Sequence, residues 1–458
     1  TTAPNTLYIH NGVTINHLDI YKGNVSIAAS GRISGSITNY SNEKVYVILE
    51  AGATVEGNLP VAENIGENIE ITSTGEKTVI IENAEFSTAL QGILGADKVT
   101  INAQGHAVLL KEDADAINVL DFNWRGYQFT TLKGLENFPN LERLYLNSAY
   151  LTECDLSKNP KIRELDLKWN LYLESVDFSN NPNLEVLYAG YCRKLTKINF
   201  EGCENLAYIE LNNTGLTELD LTDCVNLEIA NLSNTVFTGL DLSNCVNLLS
   251  LNVTNVPLEK LNLTNCEKLE YLNLNNVPLT ELSIPNPASL TSLLYGSSEL
   301  TVDLTKFVNL TVLSVENKNL TSLDFIPDAI KAKLQQLTCP NNKLDSLDLT
   351  KFPKLISLYC YGNQLKKLDV TSTPALQDLF CFNNQMDTLD VTSLNKLNYL
   401  GCGSQQTGKL ILTLTEAQKQ LWTEKWKDNG NNNNVVLEGE SVDGGNGGGS
   451  GFGNGGKF

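Results

Sequence analysis

Apolar residues return to the same phase of this chain about every 21 positions. Leucine or a close substitute stands at Leu144, Leu165, Leu187, Ile209, Ala230, Leu251, Leu272, Leu293, Leu313, Leu337, Leu358, Leu379 and Leu400. The spacing is 21 or 22 residues nearly everywhere. It is 20 once, and 24 once between Leu313 and Leu337, where residues are inserted around Pro327 to Gln335. A fixed period in this range predicts a solenoid, because each unit is too small to bury its own apolar face and must stack on its neighbours.

One unit, LAYIELNNTGLTELDLTDCVN at residues 206–226, shows the internal pattern. Its first half alternates apolar and polar residues as a half-buried strand does. Its second half alternates again and then enters a polar turn. Two short inward-facing strands per unit predict a flattened right-handed coil with a parallel sheet on one concave face. The residues just after each key leucine then point outward, among them Tyr145, Tyr188, Asn231, Asn252, Asn273, Tyr359 and Phe380. Tyr361 and Phe382 lie three after, and Tyr399 one before. Tyr359, Tyr361, Phe380, Phe382 and Tyr399 thus cluster on three adjacent coils, as a binding patch for sugar rings or an apolar peptide anchor would. Asn231, Asn252 and Asn273 form an amide row able to hydrogen-bond an extended ligand.

Cysteines and acids follow the same beat. Cys203, Cys224, Cys245 and Cys266 are 21 apart, as are Cys339, Cys360, Cys381 and Cys402. Parallel Cβ vectors on stacked rungs do not suit a disulfide dihedral, so these read as buried free thiols filling an apolar slot. No CxxC pair or Cys/His cluster suggests a metal site. Asp155, Asp177, Asp220, Asp241, Asp324, Asp348, Asp369 and Asp390, with Asn199 and Asn262, occupy one row. Stacked like charges should raise one another's pKa unless calcium or local bonds to turn backbone, Ser and Thr offset them.

The forms LTCPNNKL, LYCYGNQL and LFCFNNQM resemble leucine-rich repeats. The family's signature Asn is present at Asn170, Asn342, Asn363 and Asn384 and replaced by Thr214, Thr235, Val256, Val277, Ser298 and Lys318. In the family it bonds backbone groups between coils, so the replacements imply an interrupted ladder, with Thr a partial substitute. The flavour LTxLDLSxNPxLxxLxCxxN, with TEAQKQLWTEKWKDNGNNNNVVLEG near the C-terminus, resembles surface and secreted leucine-rich repeat proteins of Bacteroidetes, internalin-like in outline. The resemblance spans about residues 127 to 440. It implies a non-enzymatic, exported binding or scaffold protein of the cell surface or outer membrane, often a lipoprotein, whose concave face takes a protein or glycan. An alternative is an accessory subunit of an outer-membrane, nutrient importer-type complex. It also brings Asp345-Ser346-Leu347 and Asp387-Thr388-Leu389 into view as O-glycosylation motifs at Ser346 and Thr388.

Outside the repeats, residues 1–122 hold short Val/Ile-rich runs between Gly, Asn and Ser turns. They read as an all-β module, either a small β-helix stacked on the first coil or a β-sandwich. The solenoid is expected over residues 123–413, with a lead-in repeat around Phe129, Leu132, Leu135 and Phe138. A cap over 414–440 would use Thr415 to start a helix, Leu421, Trp422 or Trp426 to cover the last rung, and Val435 to Leu437 as a closing strand. The Gly-rich tail 441–458 is expected to be flexible.

Composition narrows the function classes. The net charge of −20 opposes nucleic acid and anionic lipid as partners. No run of 18 apolar residues offers a transmembrane segment. The N-terminal TTAPNTLYIH lacks the basic-then-apolar order of a signal peptide, so the chain is read as cytosolic or as numbered after processing or truncation. Histidine occurs only at His10, His17 and His106, and no catalytic or cofactor motif is present. An enzymatic reading would rest on carboxylates such as Glu50, Glu56, Glu63 or Asp97 acting on polysaccharide, and no constellation supports it.

Overall fold

In the computed structural model the described residues are 78–102, 105–123, 125–428 and 430–439, with strand segments between residues 6 and 73 described by backbone alone. Glu50, Glu56, Glu63 and the tail 441–458 lie outside them. The chain forms two compact units, residues 1–268 with 283–285, and residues 269–282 with 286–458.

In the first unit the early strands alternate between two parallel sheets. Thr6–Ile9, Asn24–Ile27, Val45–Leu49 and Ile69–Ser73 pair in one. Thr14–Ile20, Arg32–Asn39 and Thr54–Val55 pair in the other. Alternation of parallel strands is the connectivity of a β-helix; a sandwich built from hairpins would be antiparallel.

The last part of this module is not all-β. Thr78–Ile81, Ala107–Leu110 and Thr100–Ile101 form an antiparallel sheet, and helices run over Ala84–Leu94 and Lys111–Ala116. Asn83 starts the first helix by accepting from the Phe86 amide at 3.1 Å. Phe86, Ala89 and Leu90, spaced i, i+3, i+4, are fully buried. Phe86 meets Phe122 and Phe129 at ring separations of 5.6 and 5.5 Å. The helical spacing is only one turn long and sits between β-branched runs, which is why the strand reading dominates the sequence.

The repeats follow as a parallel ladder. In the first unit it runs from Val119–Asp121 through Arg143–Tyr145, Glu164–Asp166, Val186–Tyr188, Tyr208–Glu210 and Ile229–Asn231 to Ser250–Asn252. In the second it runs from Tyr271–Asn273 through Ser292–Leu294, Val312–Ser314, Gln336–Thr338, Ser357–Tyr359 and Asp378–Phe380 to Tyr399–Gly401. Within each unit every key leucine or substitute is in register with the next, as in Leu144↔Leu165 and Leu358↔Leu379. All of them are at most 1% exposed. Burying one leucine side chain contributes about 1.5–3 kcal/mol, available only when the neighbouring coil covers it.

The long interval also keeps register, since Leu313 pairs with Leu337. The extra residues are taken up behind the sheet by a short helix, Asp328–Lys331, entered at Pro327. The expected second strand forms in fewer coils than the alternation suggests. Ser175–Asp177 pairs with Lys197–Asn199, Gly239–Asp241 with Lys260–Asn262, and Thr388–Asp390 with Leu410–Thr413. At Leu304–Lys306 and Leu349–Lys351 the chain makes a 3-10 turn instead, capped by Asp303 and Asp348. There the buried rings of Phe307 and Phe352 fill the corner.

All ten cysteines are buried free thiols. Some of them serve as more than filler. Asn159 and Asn181 donate to the previous coil's carbonyls in one internal row. Cys203, Cys245 and Cys266 then take over that row, their thiols facing carbonyls such as Phe178 O at 3.5 Å and Leu242 O at 3.3 Å. Burial pushes the Cys203 and Cys266 thiols up to about 11.

Beyond the last coil the chain turns into a helix over Glu416–Leu421 that continues as a π-helical turn over Trp422–Trp426. Thr415 and Gln418 form a reciprocal capping box, and Trp422 and Trp426 are buried. Gln418 Nε2 donates to Val391 O and Leu394 O, and Trp426 Nε1 to Asn398 O. Asn432 accepts from Cys402 N and donates to Leu400 O. Val435–Leu437 pairs with Leu410–Thr413. Polar groups of the cap thus occupy the edge that the last coil would otherwise leave open.

Candidate functional site on the open sheet face

The rim of the sheet is held by the asparagine ladder. Asn363, 1% exposed, donates to Cys339 O and Cys360 O at 3.0 Å each and accepts from Leu344 N at 3.1 Å. Asn170, Asn342 and Asn384 do the same for their coils. Gln405 extends the row with bonds to Cys381 O and Cys402 O. Thr214, Thr235 and Ser298 donate only within their own coil, to Leu211 O, Leu232 O and Tyr295 O, and Ser298 Oγ also accepts from Lys318 of the next coil at 3.4 Å. The interruption is therefore real but partial. Lys318 replaces the amide with an ammonium that donates to Ser298 O and Leu300 O.

In the second unit the predicted aromatic cluster assembles on this framework. Tyr359 and Phe380 stack at 5.2 Å with planes 3° apart, and Tyr361 and Phe382 at 4.5 Å and 5°. The four rings are half-buried, while Tyr399 is 63% exposed and stands apart from both stacks. Gly401 makes room for the Phe380 ring, because a Cβ there would come within 2.8 Å of it. Two carboxylates flank the rings. Asp378 accepts from Ser357 Oγ at 2.6 Å. Glu316 is half-buried, and burial raises its pKa. Asn273 spends its Oδ1 on the Asn275 amide and approaches Tyr271 Oη through Nδ2.

The first unit's face is more acidic. Tyr188 packs on Tyr208 at 5.1 Å and carries the Lys168 ammonium 4.5 Å from its ring centre. Burial, and after it Glu164 and Glu210, push the Tyr188 phenol up. Burial and the Glu164 carboxylate do the same to Tyr145. Asp166 is buried, which raises its pKa against the opposing bond from Lys168 N. Asn231 and Asn252 are paired in register, and each turns its Oδ1 onto Ser233 or Thr254. In Asn231 and Asn252 the side-chain oxygens thus serve the turn.

A second aromatic group, which the alternation does not reveal, lies where the coils leave the sheet. Trp169 and Tyr191 stack at 4.1 Å with planes 4° apart. Tyr150 and Tyr172 lie 6.2 Å apart, and Lys194 sits 5.5 Å from the Tyr172 centroid. Tyr150, Trp169 and Tyr191 have φ of 68°, 63° and 64°. That region costs a bulky residue roughly 1–3 kcal/mol. The turn signal is visible in other coils as Asn213, Asn234 and Asn255, at φ of 58° to 59°. Trp169 and Tyr191 could have been found as departures from that asparagine row.

The aspartate row faces away from these sites. Asp220 accepts from Thr222 N at 2.9 Å and Thr222 Oγ1 at 2.6 Å. The hydroxyl and then the amide hold its carboxyl below the usual range. Asp155, Asp177, Asp241, Asp348 and Asp369 are lowered by equivalent bonds, and Asp303 joins them. At these residues the turn bonds offset the stacked charges, as the local-bond reading expects. Ser346 and Thr388 are exposed.

No family model matches the chain, and no curated protein matches it. Solved structures do. An internalin from Listeria monocytogenes strain 4b F2365 superposes with a TM-score of 0.54 at 21% identity, covering 69% of this chain and 94% of that one. The functional domain of InlJ from Listeria monocytogenes, described as including a cysteine ladder, gives 0.47 at 22%, over 74% and 82%. A Leptospira interrogans leucine-rich repeat protein gives 0.46 at 16%, over 72% and 97%. The fold is a leucine-rich repeat solenoid of parallel strands with few helices. Among the described residues no helix is long and apolar enough to cross a membrane.

Proposed function

We propose that this chain is a non-enzymatic binding protein that holds a protein ligand on its open sheet face, with Tyr359, Tyr361, Phe380 and Phe382 as the principal contact. The observation that carries this reading is the pair of parallel ring stacks. They are left half-exposed on rigid, in-register strands where every other outward position of the same coils is polar or small. Aromatic groups fixed at low entropic cost and surrounded by polar residues are the usual energetic centre of an interface. Leucine-rich repeat solenoids typically act as binding scaffolds, which agrees. Export to the cell surface of a Bacteroidetes bacterium is part of the proposal and rests on the sequence resemblance. Glycosylation at the exposed Ser346 and Thr388 belongs with it.

The test is to probe arrays of peptides and glycans with the full chain and with Tyr359→Ala/Phe380→Ala. The reading expects peptide signals that fall at least tenfold in the variant while its thermal midpoint stays within a few degrees. Peptide signals unchanged by the variant would discard the contact, and turnover of an arrayed glycan would discard the non-enzymatic role. Labelling of intact cells by an impermeant reagent tests the location.

A further inference from the structure

We propose that Trp169 and Tyr191, with Tyr150, Tyr172, Arg193 and Lys194, form a separate docking ledge for an acidic peptide segment of a partner protein. The ledge lies on the first unit and does not depend on the stacks at Tyr359 to Phe382.

The argument begins with the backbone. One position per coil, occupied by Ser148, Trp169, Tyr191, Asn213, Asn234 and Asn255, has φ between 58° and 64°. Asparagine is the ordinary choice there because its short side chain tolerates the left-handed region. Ser148 is also short and polar, but the next two coils place a large aromatic residue, Trp169 and Tyr191, in the strained conformation. Nothing in the local packing requires it, since Trp169 is 37% exposed and Tyr191 half-exposed. Strain retained on exposed residues points to a use for the residues themselves.

The chemistry of the ledge selects the occupant. Trp169 and Tyr191 cover one face of each other's rings at 4.1 Å, and the pair adds ring edges, an indole N–H and a phenol to the surface. Ring edges carry partial positive charge. Tyr150 at 44% and Tyr172 at 47% exposure add two more phenols. Arg193 and Lys194 are exposed, and neither is in an ion pair among the described residues. Two acids of the same coils are committed elsewhere. Glu185 binds Arg163, and Asp177 holds the Ser179 amide. The result is a donor-rich, cation-flanked surface on a chain whose net charge is −20. Its Trp, Tyr and Arg content is that of an interface centre, and its charge fits carboxylates presented by a peptide.

Trp169→Asn/Tyr191→Asn separates a binding role from a structural one, because it restores the residue the backbone favours. Random twelve-residue peptides displayed on phage are selected on the wild-type chain and then titrated on this variant and on Arg193→Glu/Lys194→Glu. The expected result is enrichment of Asp/Glu-containing peptides whose affinity falls at least tenfold on both variants and falls with added salt, while the Asn variant unfolds at the same or higher urea concentration. Four results would overturn the proposal. They are selection of neutral or basic peptides or of none, equal binding to the variants, an Asn variant that is less stable than wild type, and retention of oligogalacturonate, but not acidic peptides, by the ledge.

Discussion

The Lys318 ammonium donates to the carbonyl of Ser298 at 2.6 Å and sits 4.8 Å from the ring centre of Tyr295. A cation has thus replaced the asparagine that elsewhere joins one coil to the next. Lys318→Met keeps the length of the side chain and removes the donor. It strands the Ser298 and Leu300 carbonyls, so urea unfolding should show a loss of about 1–3 kcal/mol. Burial lowers the Lys318 pKa below 10.5, so the unfolded chain holds this proton more tightly. Its contribution therefore improves as pH rises toward 10.5, and the Met variant should lack that improvement.

Replacements in the two halves of the ladder should differ in cost. Asn363→Ala removes donated bonds to three carbonyls and one accepted bond at a buried site. Thr214→Ala removes one donated bond. With each stranded backbone group costing about 1–3 kcal/mol, Asn363→Ala should destabilise by about 3 kcal/mol or more and Thr214→Ala by about 1. Equal losses in denaturant titration would contradict the assigned bonding.

Alkaline pH should weaken the fold through its thiols. Burial raises Cys203 from 9.0 to about 11 and Cys339 from 9.0 to about 12. The native state keeps protons that the unfolded chain sheds, so their stabilisation is complete below pH 9 and is lost as pH climbs through the folded values. Each such thiol adds a slope of about −1.4 kcal/mol per pH unit in that window. Cys203→Ala should flatten the stability curve between pH 9 and 11, measured by urea titration under reducing conditions.

Gly401→Ala tests how the aromatic face is seated. The new methyl would lie 2.8 Å from the Phe380 ring and 3.2 Å from Asn431 Cβ. Phe380 must leave its 5.2 Å stack on Tyr359, which should alter the near-ultraviolet circular dichroism and weaken peptide capture without unfolding the chain.

Much of this was legible because one apolar position repeats. The key leucines, the stacked cysteines and the Tyr359–Phe382 cluster all follow from counting along the chain once the coils are taken to be in register. Two kinds of feature escaped that count. The helix at Ala84–Leu94 is too short a periodic signal to stand out beside the Val/Ile runs around it. Trp169 and Tyr191 sit where the chain bends, and alternation says nothing about positions governed by φ. The aspartate row was visible, but its electrostatics were set by bonds two residues away, which matter more than the stacked neighbours.

Leu313 stays opposite Leu337 although the chain between them is longer than any other interval, because Asp328–Lys331 absorbs the excess on the back of the coil. Length is therefore decoupled from alignment in this architecture. A reporter peptide grafted beside the exposed Lys333 could grow outward while the sheet face kept every ring where it stands, which makes the back of that coil a natural handle for immobilising the protein with its recognition surface free.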